Sequence, residues 1–159
     1  MYDASKIRLL RFDEHVRSRP TMYFGVELGD PRLATKVFRA VLIDATHNEP
    51  LPQVEAEVLA GLTFWVTDDQ PVVFRADGTP LLGINDTLFR ADRTASAAAA
   101  VLSTRTIIER WHDGRGFRQE LVHGRPTAPP EPFASPQGDG TRLMFDLDPA
   151  YCTAGITTR

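Results

Sequence analysis

The sequence predicts an α+β fold in which helices pack on one face of a largely antiparallel sheet, and three observations support it. Two segments have helical character, two pairs of apolar segments flank turn sequences, and one more alternating segment follows near the C-terminus. The chain has 159 residues, 42% of them hydrophobic, which fits one domain with its own core. The predicted elements follow one another as arm, helix, hairpin, helix, hairpin and strand. This order is typical of a two-layer sandwich.

The N-terminal part is predicted to contain an arm and two helical segments. Residues 1–12 hold few apolar anchors, so we expect an extended arm followed by a single domain over 13–159. Two acids at the start of 13–18 predict a helical turn, which ends before Pro20. Apolar residues near helical spacing then predict a helix over 31–47.

A hairpin and a second helix are predicted in the middle of the chain. Segments 62–66 and 71–75 are rich in apolar residues and flank a polar turn, as two paired strands would. The sequence DGTP at 77–80 ends the second strand in a turn. The alanine-rich segment 94–103 is predicted to be a packed helix with Thr94 as its N-cap.

The C-terminal third is predicted to supply the rest of the sheet. Segments 106–112 and 117–122 flank the sequence DGRG, which is a strong hairpin signal. Five prolines in 124–138 exclude regular structure there, so we expect an exposed connection. The alternation of 141–148 predicts a final strand.

Composition excludes several classes of protein. The net charge of −3 argues against direct binding to nucleic acid. A single cysteine, Cys152, excludes an internal disulfide and a zinc site built on paired cysteines, and we expect no metal or cofactor. Neither a signal peptide nor an apolar stretch of membrane-spanning length is present, so we expect a cytoplasmic protein that does not bind membranes.

Particular residues carry a resemblance to a known family. The sequence YDASKIRLL at 2–10, followed by VRSRPTMYFG at 16–25, resembles the amino terminus of the DNA gyrase B family and its topoisomerase IV relative. Val37-Phe38, GFRQ at 116–119 and GTRLMF at 140–145 are similar to later segments of that family, in the same order. The resemblance covers nearly the whole chain. It implies the ATP-binding GHKL sandwich shared by gyrase, Hsp90, histidine kinases and MutL.

The resemblance also implies that the residues for ATP hydrolysis are missing. In the family, the first long helix supplies a glutamate that activates water and an asparagine that holds magnesium. The matching positions here are Arg39 and Ile43, which offer neither a base nor an oxygen ligand. A shift of one residue brings Ala40 and Asp44 to these positions, which restores a metal-binding oxygen but no base.

The adenine subsite of the family is also altered. The family's DDGRGIP turn supplies an aspartate that accepts the adenine amino group, and the corresponding RADGTP at 75–80 places Ala76 there. Asp77, one position later, is either a substitute ligand or a turn residue. Thr141 matches the threonine that assists the aspartate. The resemblance thus implies a set of candidate ligand-binding residues, namely Ile43, Asp77, Gly78, Pro80, Thr141 and Leu143.

Two further parts of the family's ATP site lack a counterpart. Only the sequence LLGINDTLFRADR, at 81–93, separates the turn from the alanine-rich helix, so the glycine-rich lid over the triphosphate is missing. In the family, a transducer domain after this one supplies a lysine to the γ-phosphate, and we expect no such lysine in the sequence up to Arg159. We expect negligible ATP hydrolysis.

Three functions remain open at this point. The chain is a ligand-binding or regulatory module, an enzyme that uses the former ATP pocket for other chemistry on a small organic molecule, or a nucleotide-binding protein without turnover. For the enzyme, Arg39, Ile43 and His47 would line an apolar cavity, and Asp44 would orient His47. The alternative for these side chains is a solvated helix end.

The arm raises the question of protein partners. In the resembling family it reaches the other protomer of a dimer, and Tyr2 and Ile7 match its contact positions. We therefore expect either a homodimer or contact with a gyrase subunit, and the alternative is an inherited strand that folds back.

Overall fold

The fold is described by a computed structural model that covers residues 11–46 and 51–158. Its α-helices are α1 (Phe12–Ser18), α2 (Thr21–Phe24), α3 (Leu33–Thr46) and α4 (Thr94–Val101). Its strands are β1 (Val54–Ala60), β2 (Thr63–Asp68), β3 (Ser103–His112), β4 (Arg115–Val122), β5 (Arg125–Pro126), β6 (Glu131–Phe133) and β7 (Gly140–Leu147). Within these residues, no helix has both the length and the apolar character needed to cross a membrane.

The strands form one antiparallel sheet in the order β1-β2-β7-β3-β4-β5, and β6 also pairs with β4. The last strand in the sequence, β7, is inserted between β2 and β3. The two hairpins are therefore joined through a strand that comes after both in the chain. Together with α3 and α4, this sheet confirms the predicted α+β fold.

The core lies between the sheet and α3 and α4. Val37 and Val41, one turn apart on α3, are fully buried, as expected for the apolar stripe of an amphipathic helix. Phe38 meets the ring of Phe64 edge-on at 5.0 Å, and Phe64 stacks on Phe145 at 5.1 Å. These aromatic contacts join α3 to β2 and β7, and so fix the helix that bears the candidate site residues.

The first hairpin differs from the prediction. Strand β2 pairs with β1, whereas residues 71–75 form only one isolated bridge, between Phe74 and Pro80. The prediction missed β1 because it is the edge strand of the sheet, with mostly exposed residues that include Glu55 and Glu57. Edge strands carry such charges, which weaken the apolar alternation.

The proline-rich segment also differs from the prediction. It contains the short strands β5 and β6, both paired with β4. Pro126 and Pro132 lie within these strands. Proline is accepted at such sheet edges because its missing N–H need not join a ladder.

A buried carboxylate ties α1 to β5. Asp13 accepts hydrogen bonds from Arg125 Nε at 2.9 Å and Nη2 at 2.7 Å, and from Arg17 Nη2 at 3.3 Å. Burial by itself would raise the pKa of Asp13, but the hydrogen bonds and charges of Arg125 and Arg17 outweigh burial and lower it. Phe12 also belongs to α1, so the helix begins inside the predicted arm, whose contact positions Tyr2 and Ile7 lie outside the described residues.

Candidate functional site

The candidate site lies where β2 ends beside β7. Asp68, the last residue of β2, is the cross-strand partner of Thr141, and both are buried. In the resemblance to the gyrase B family, Thr141 matches the threonine of the adenine site. The carboxylate beside it is therefore that of Asp68, and neither Ala76 nor Asp77 takes this position.

Asp68 is held by an internal arginine. Arg93 Nη2 donates to Asp68 Oδ1 at 2.9 Å, and Arg93 Nη1 lies 2.9 Å from Asp68 Oδ2. Each side chain is only 1% exposed. The backbone N–H of Gln70 also donates to Asp68 Oδ1, at 3.0 Å. Asp68 Oδ1 thus accepts two hydrogen bonds from the chain itself, whereas Oδ2 contacts Arg93 Nη1 as an ion pair without a hydrogen bond.

Side-chain hydrogen bonds join α3 to α4 and to the segment that follows β2. Gln70 Nε2 donates to the backbone carbonyls of Asp44 and Ala45, near the C-terminal end of α3. The carboxylate of Asp44 accepts the N–H of Ser96 at 2.7 Å and its hydroxyl at 2.9 Å. Asp44 therefore satisfies an N–H in the first turn of α4. The predicted N-cap, Thr94, is instead the first helical residue.

A second buried arginine lies next to this ion pair. Arg110 Nε donates to Thr141 Oγ1 at 3.1 Å, and Arg110 Nη1 donates to the carbonyl of Leu88 at 3.3 Å. Arg110 is 7% exposed. Burial and the positive charge of Arg93 lower the pKa of Arg110 to about 10, so its guanidinium remains charged at neutral pH.

The described part of the predicted helix face, Arg39 and Ile43, points to solvent. Ile43 is 66% exposed and Arg39 is also exposed, because both lie on the side of α3 opposite its apolar stripe. The carboxylate of Asp44 accepts the N–H and the hydroxyl of Ser96, so it also holds the start of α4. His47 lies outside the described residues.

The other predicted ligand residues lie in two separate places, an exposed turn and the buried core. Asp77 is exposed and accepts hydrogen bonds from the N–H and hydroxyl of Thr79, which lower its pKa. It is a turn residue, and Gly78 beside it has φ of +85°, a conformation that favours glycine. Pro80 bridges to Phe74 in the same turn. Leu143, by contrast, is buried in the core.

Two cavities flank the segment from Pro71 to Gly78. The larger, about 380 Å³, is lined by this segment's residues 72–78 and by His112, Asp113 and Arg115. The smaller, about 270 Å³, is lined by Pro71, Val73, Arg90, Ala91, Asp92 and Arg110. In the part of the chain that the structure describes, no three His, Cys, Asp or Glu side chains are grouped as a metal site requires.

Sequence reasoning missed Asp68 and Arg93. One signal for Asp68 was present: Asp68-Asp69 directly follows an apolar strand, as the paired aspartates of the DDGRGIP turn do in the resembling family. Arg93 carried no such signal, because an ion pair between residues 25 positions apart depends on the tertiary fold.

Comparison with known proteins supports the fold. The 43K ATPase domain of Thermus thermophilus gyrase B, solved in complex with an aminocoumarin, matches the structure with a TM-score of 0.71 at 22% sequence identity. The match covers 94% of this chain and 43% of the gyrase chain, so this chain spans less than half of that protein's length. No protein-family model and no curated protein matches the sequence.

Proposed function

We propose that this chain, which has the fold of the gyrase B ATPase domain, is a ligand-binding or regulatory module that does not hydrolyse ATP. The observation that carries the proposal is the ion pair between Arg93 and Asp68. It places a guanidinium against the carboxylate beside Thr141, where the resemblance implies an adenine amino group. A guanidinium N–H and an adenine amino group are donors of the same kind.

The ion pair opposes nucleotide binding for two reasons. Arg93 lies 2.9 Å from both oxygens of Asp68, so an adenine amino group would have to displace the guanidinium to reach the carboxylate. Moving Arg93 would also leave a buried carboxylate without its counter-ion, which is strongly unfavourable. The nucleotide would have to supply this free energy from its own contacts.

The geometry of α3 supports the absence of hydrolysis. General-base catalysis requires a group that can accept a proton within reach of the attacking water. Arg39 cannot accept one, and the carboxylate of Asp44 already receives two hydrogen bonds from Ser96. No carboxylate of the described part of α3 is therefore positioned as the family's glutamate would be.

The proposal is tested by comparing the wild-type chain with Arg93→Ala. We expect no magnesium-dependent phosphate release above the no-enzyme control for either protein. We also expect ATP and ADP to leave the thermal stability of the wild type unchanged, whereas a bound ligand at one hundred times its Kd stabilises a protein by about 2.7 kcal/mol. Arg93→Ala, once shown to be folded by circular dichroism, should gain stabilisation by adenosine because Asp68 becomes accessible.

Arg142→Ala is the matched control, since it removes an exposed arginine that follows Thr141 in β7. It should bind adenosine no better than the wild type. Saturable ATP hydrolysis by the wild type would overturn the proposal. Stabilisation of the wild type by ATP or ADP would instead favour a nucleotide-binding protein without turnover.

A further inference from the structure

The second buried arginine of the site, Arg110, differs from Arg93 in its partners. Arg110 is almost as buried as Arg93, but both of its hydrogen bonds go to neutral oxygens, those of Thr141 and Leu88. Among the described residues, no carboxylate forms an ion pair with it. Burying a charge without a partner is costly, and proteins normally compensate it with an opposite charge.

The charges around Arg110 are unbalanced in favour of cations. Arg90 and Arg93 repel its guanidinium, whereas Asp68 and Asp92 attract it. Three arginines thus face two aspartates, and Asp68 is already bound to Arg93. Burial is the main cause of the lowered pKa of Arg110, and the repulsion from Arg93 adds to it. One additional negative charge would balance the group.

The smaller cavity gives such a charge a place to bind. Its volume of about 270 Å³ is slightly below the usual range of small-molecule sites, so it suits a small ligand. Arg110 and Arg90 supply guanidinium donors, while Pro71 and Val73 supply an apolar wall. Guanidinium groups bind carboxylates and phosphates with paired, charge-assisted hydrogen bonds.

We propose that this cavity binds a small organic molecule through one oxyanion group, a carboxylate or a phosphate, held by Arg110 and Arg90. The apolar part of the ligand packs on Pro71 and Val73. Asp92, in the same lining, repels further negative charge and so disfavours a polyphosphate. The inference rests on the proposed function, because it gives the ligand-binding module its ligand class.

The test uses benzoate, inorganic phosphate and neutral benzamide as probes on the full chain. We expect saturable binding of benzoate by isothermal titration calorimetry and no binding of benzamide, which has the same shape without the charge. Arg110→Gln should weaken benzoate binding at least about tenfold, and Arg90→Gln should weaken it by a smaller factor.

Arg90→Gln and Arg142→Gln serve as a second test variant and a control. Arg90 is exposed and forms no ion pair among the described residues, so Arg90→Gln should fold even if Arg110→Gln does not. Arg142→Gln is the matched control, because Arg142 follows Thr141 in β7 and so points to the opposite face of the sheet. It should bind benzoate as the wild type does.

The binding of the two anionic probes identifies the class of the ligand. Binding of phosphate with the same dependence on Arg90 and Arg110 would identify a phosphate-bearing ligand, and binding of benzoate alone would identify a carboxylate. Failure of both probes to bind, equal binding of benzamide, or no effect of Arg90→Gln would overturn the inference. ATP hydrolysis by the wild type would overturn the proposed function without changing these binding results, so the two failures are distinguishable.

Discussion

Two aspartate-arginine pairs occupy different regions of the molecule and differ in burial. At the end of β2, Asp68 and Arg93 are each 1% exposed. On the N-terminal side, Asp13 is 3% exposed, but its partner Arg125 is 47% exposed. The distances are similar, 2.9 Å and 2.7 Å, so burial is the main difference between them.

The difference indicates that the two pairs have different roles. An arginine that is half exposed keeps much of its hydration, so the Asp13 pair can join α1 to β5 at low cost. A pair enclosed on both sides loses the hydration of both charges, and apolar residues of similar volume often replace such pairs without loss of stability. Stability alone therefore does not explain why Asp68 and Arg93 are paired in the interior, which agrees with the proposal that this pair opposes nucleotide binding.

The largest effect is expected from Asp68→Ala. This change leaves Arg93 charged and buried without a partner, which should reduce the free energy of unfolding by about 3–5 kcal/mol. Urea unfolding of the wild type and the variant measures the difference. The double variant Asp68→Ala with Arg93→Met removes both charges and should recover most of the lost stability.

The double variant also determines how the single result is interpreted. If Asp68→Ala is too unstable to purify while the double variant folds, the uncompensated arginine is still the cause. If the double variant is no more stable than Asp68→Ala alone, the loss comes from packing at position 68. The assigned role of the ion pair would then be wrong.

The sequence predicted the elements whose periodicity reflects burial, and it failed where tertiary contacts decide. Helix α3 and the hairpin of β3 and β4 followed from apolar spacing and from a turn sequence. Strand β1 did not, because an edge strand with Glu55 and Glu57 lacks a clear apolar face. In the site, the local sequence around Asp68 was sufficient to predict this residue. Its ion pair with Arg93 could not be predicted, because it depends on the tertiary fold.

A smaller effect is expected at the half-exposed pair. Arg125→Gln should reduce the free energy of unfolding by about 1 kcal/mol, because solvent screens the exposed guanidinium and Arg17 still contacts Asp13. The pKa of Asp13 lies below its ordinary value of 3.8, so the pair stabilises the fold above that pH. The stability difference between wild type and variant should shrink as the pH falls below about 4, because Asp13 takes up a proton there in the unfolded chain and only at still lower pH in the folded one.

Urea unfolding at neutral and acidic pH measures this change. Arg11→Gln is the matched control, because Arg11 is more exposed and lies 3.9 Å from the same carboxylate. It should have less effect than Arg125→Gln at neutral pH. A difference between wild type and Arg125→Gln that persists unchanged in acid would mean that Arg125 acts through packing and not through its charge.

The smallest effect is expected at a pair with two exposed partners. Arg105 Nε donates to Glu120 Oε1 at 2.7 Å across β3 and β4, and the side chains are 44% and 41% exposed. This contact is as short as the one between Arg125 and Asp13, and its hydrogen bond lowers the pKa of Glu120. Water nevertheless surrounds both partners, so Arg105→Gln should leave the urea midpoint unchanged within error. A loss equal to that of Arg125→Gln would mean that contact distance, and not burial, determines the strength of these pairs.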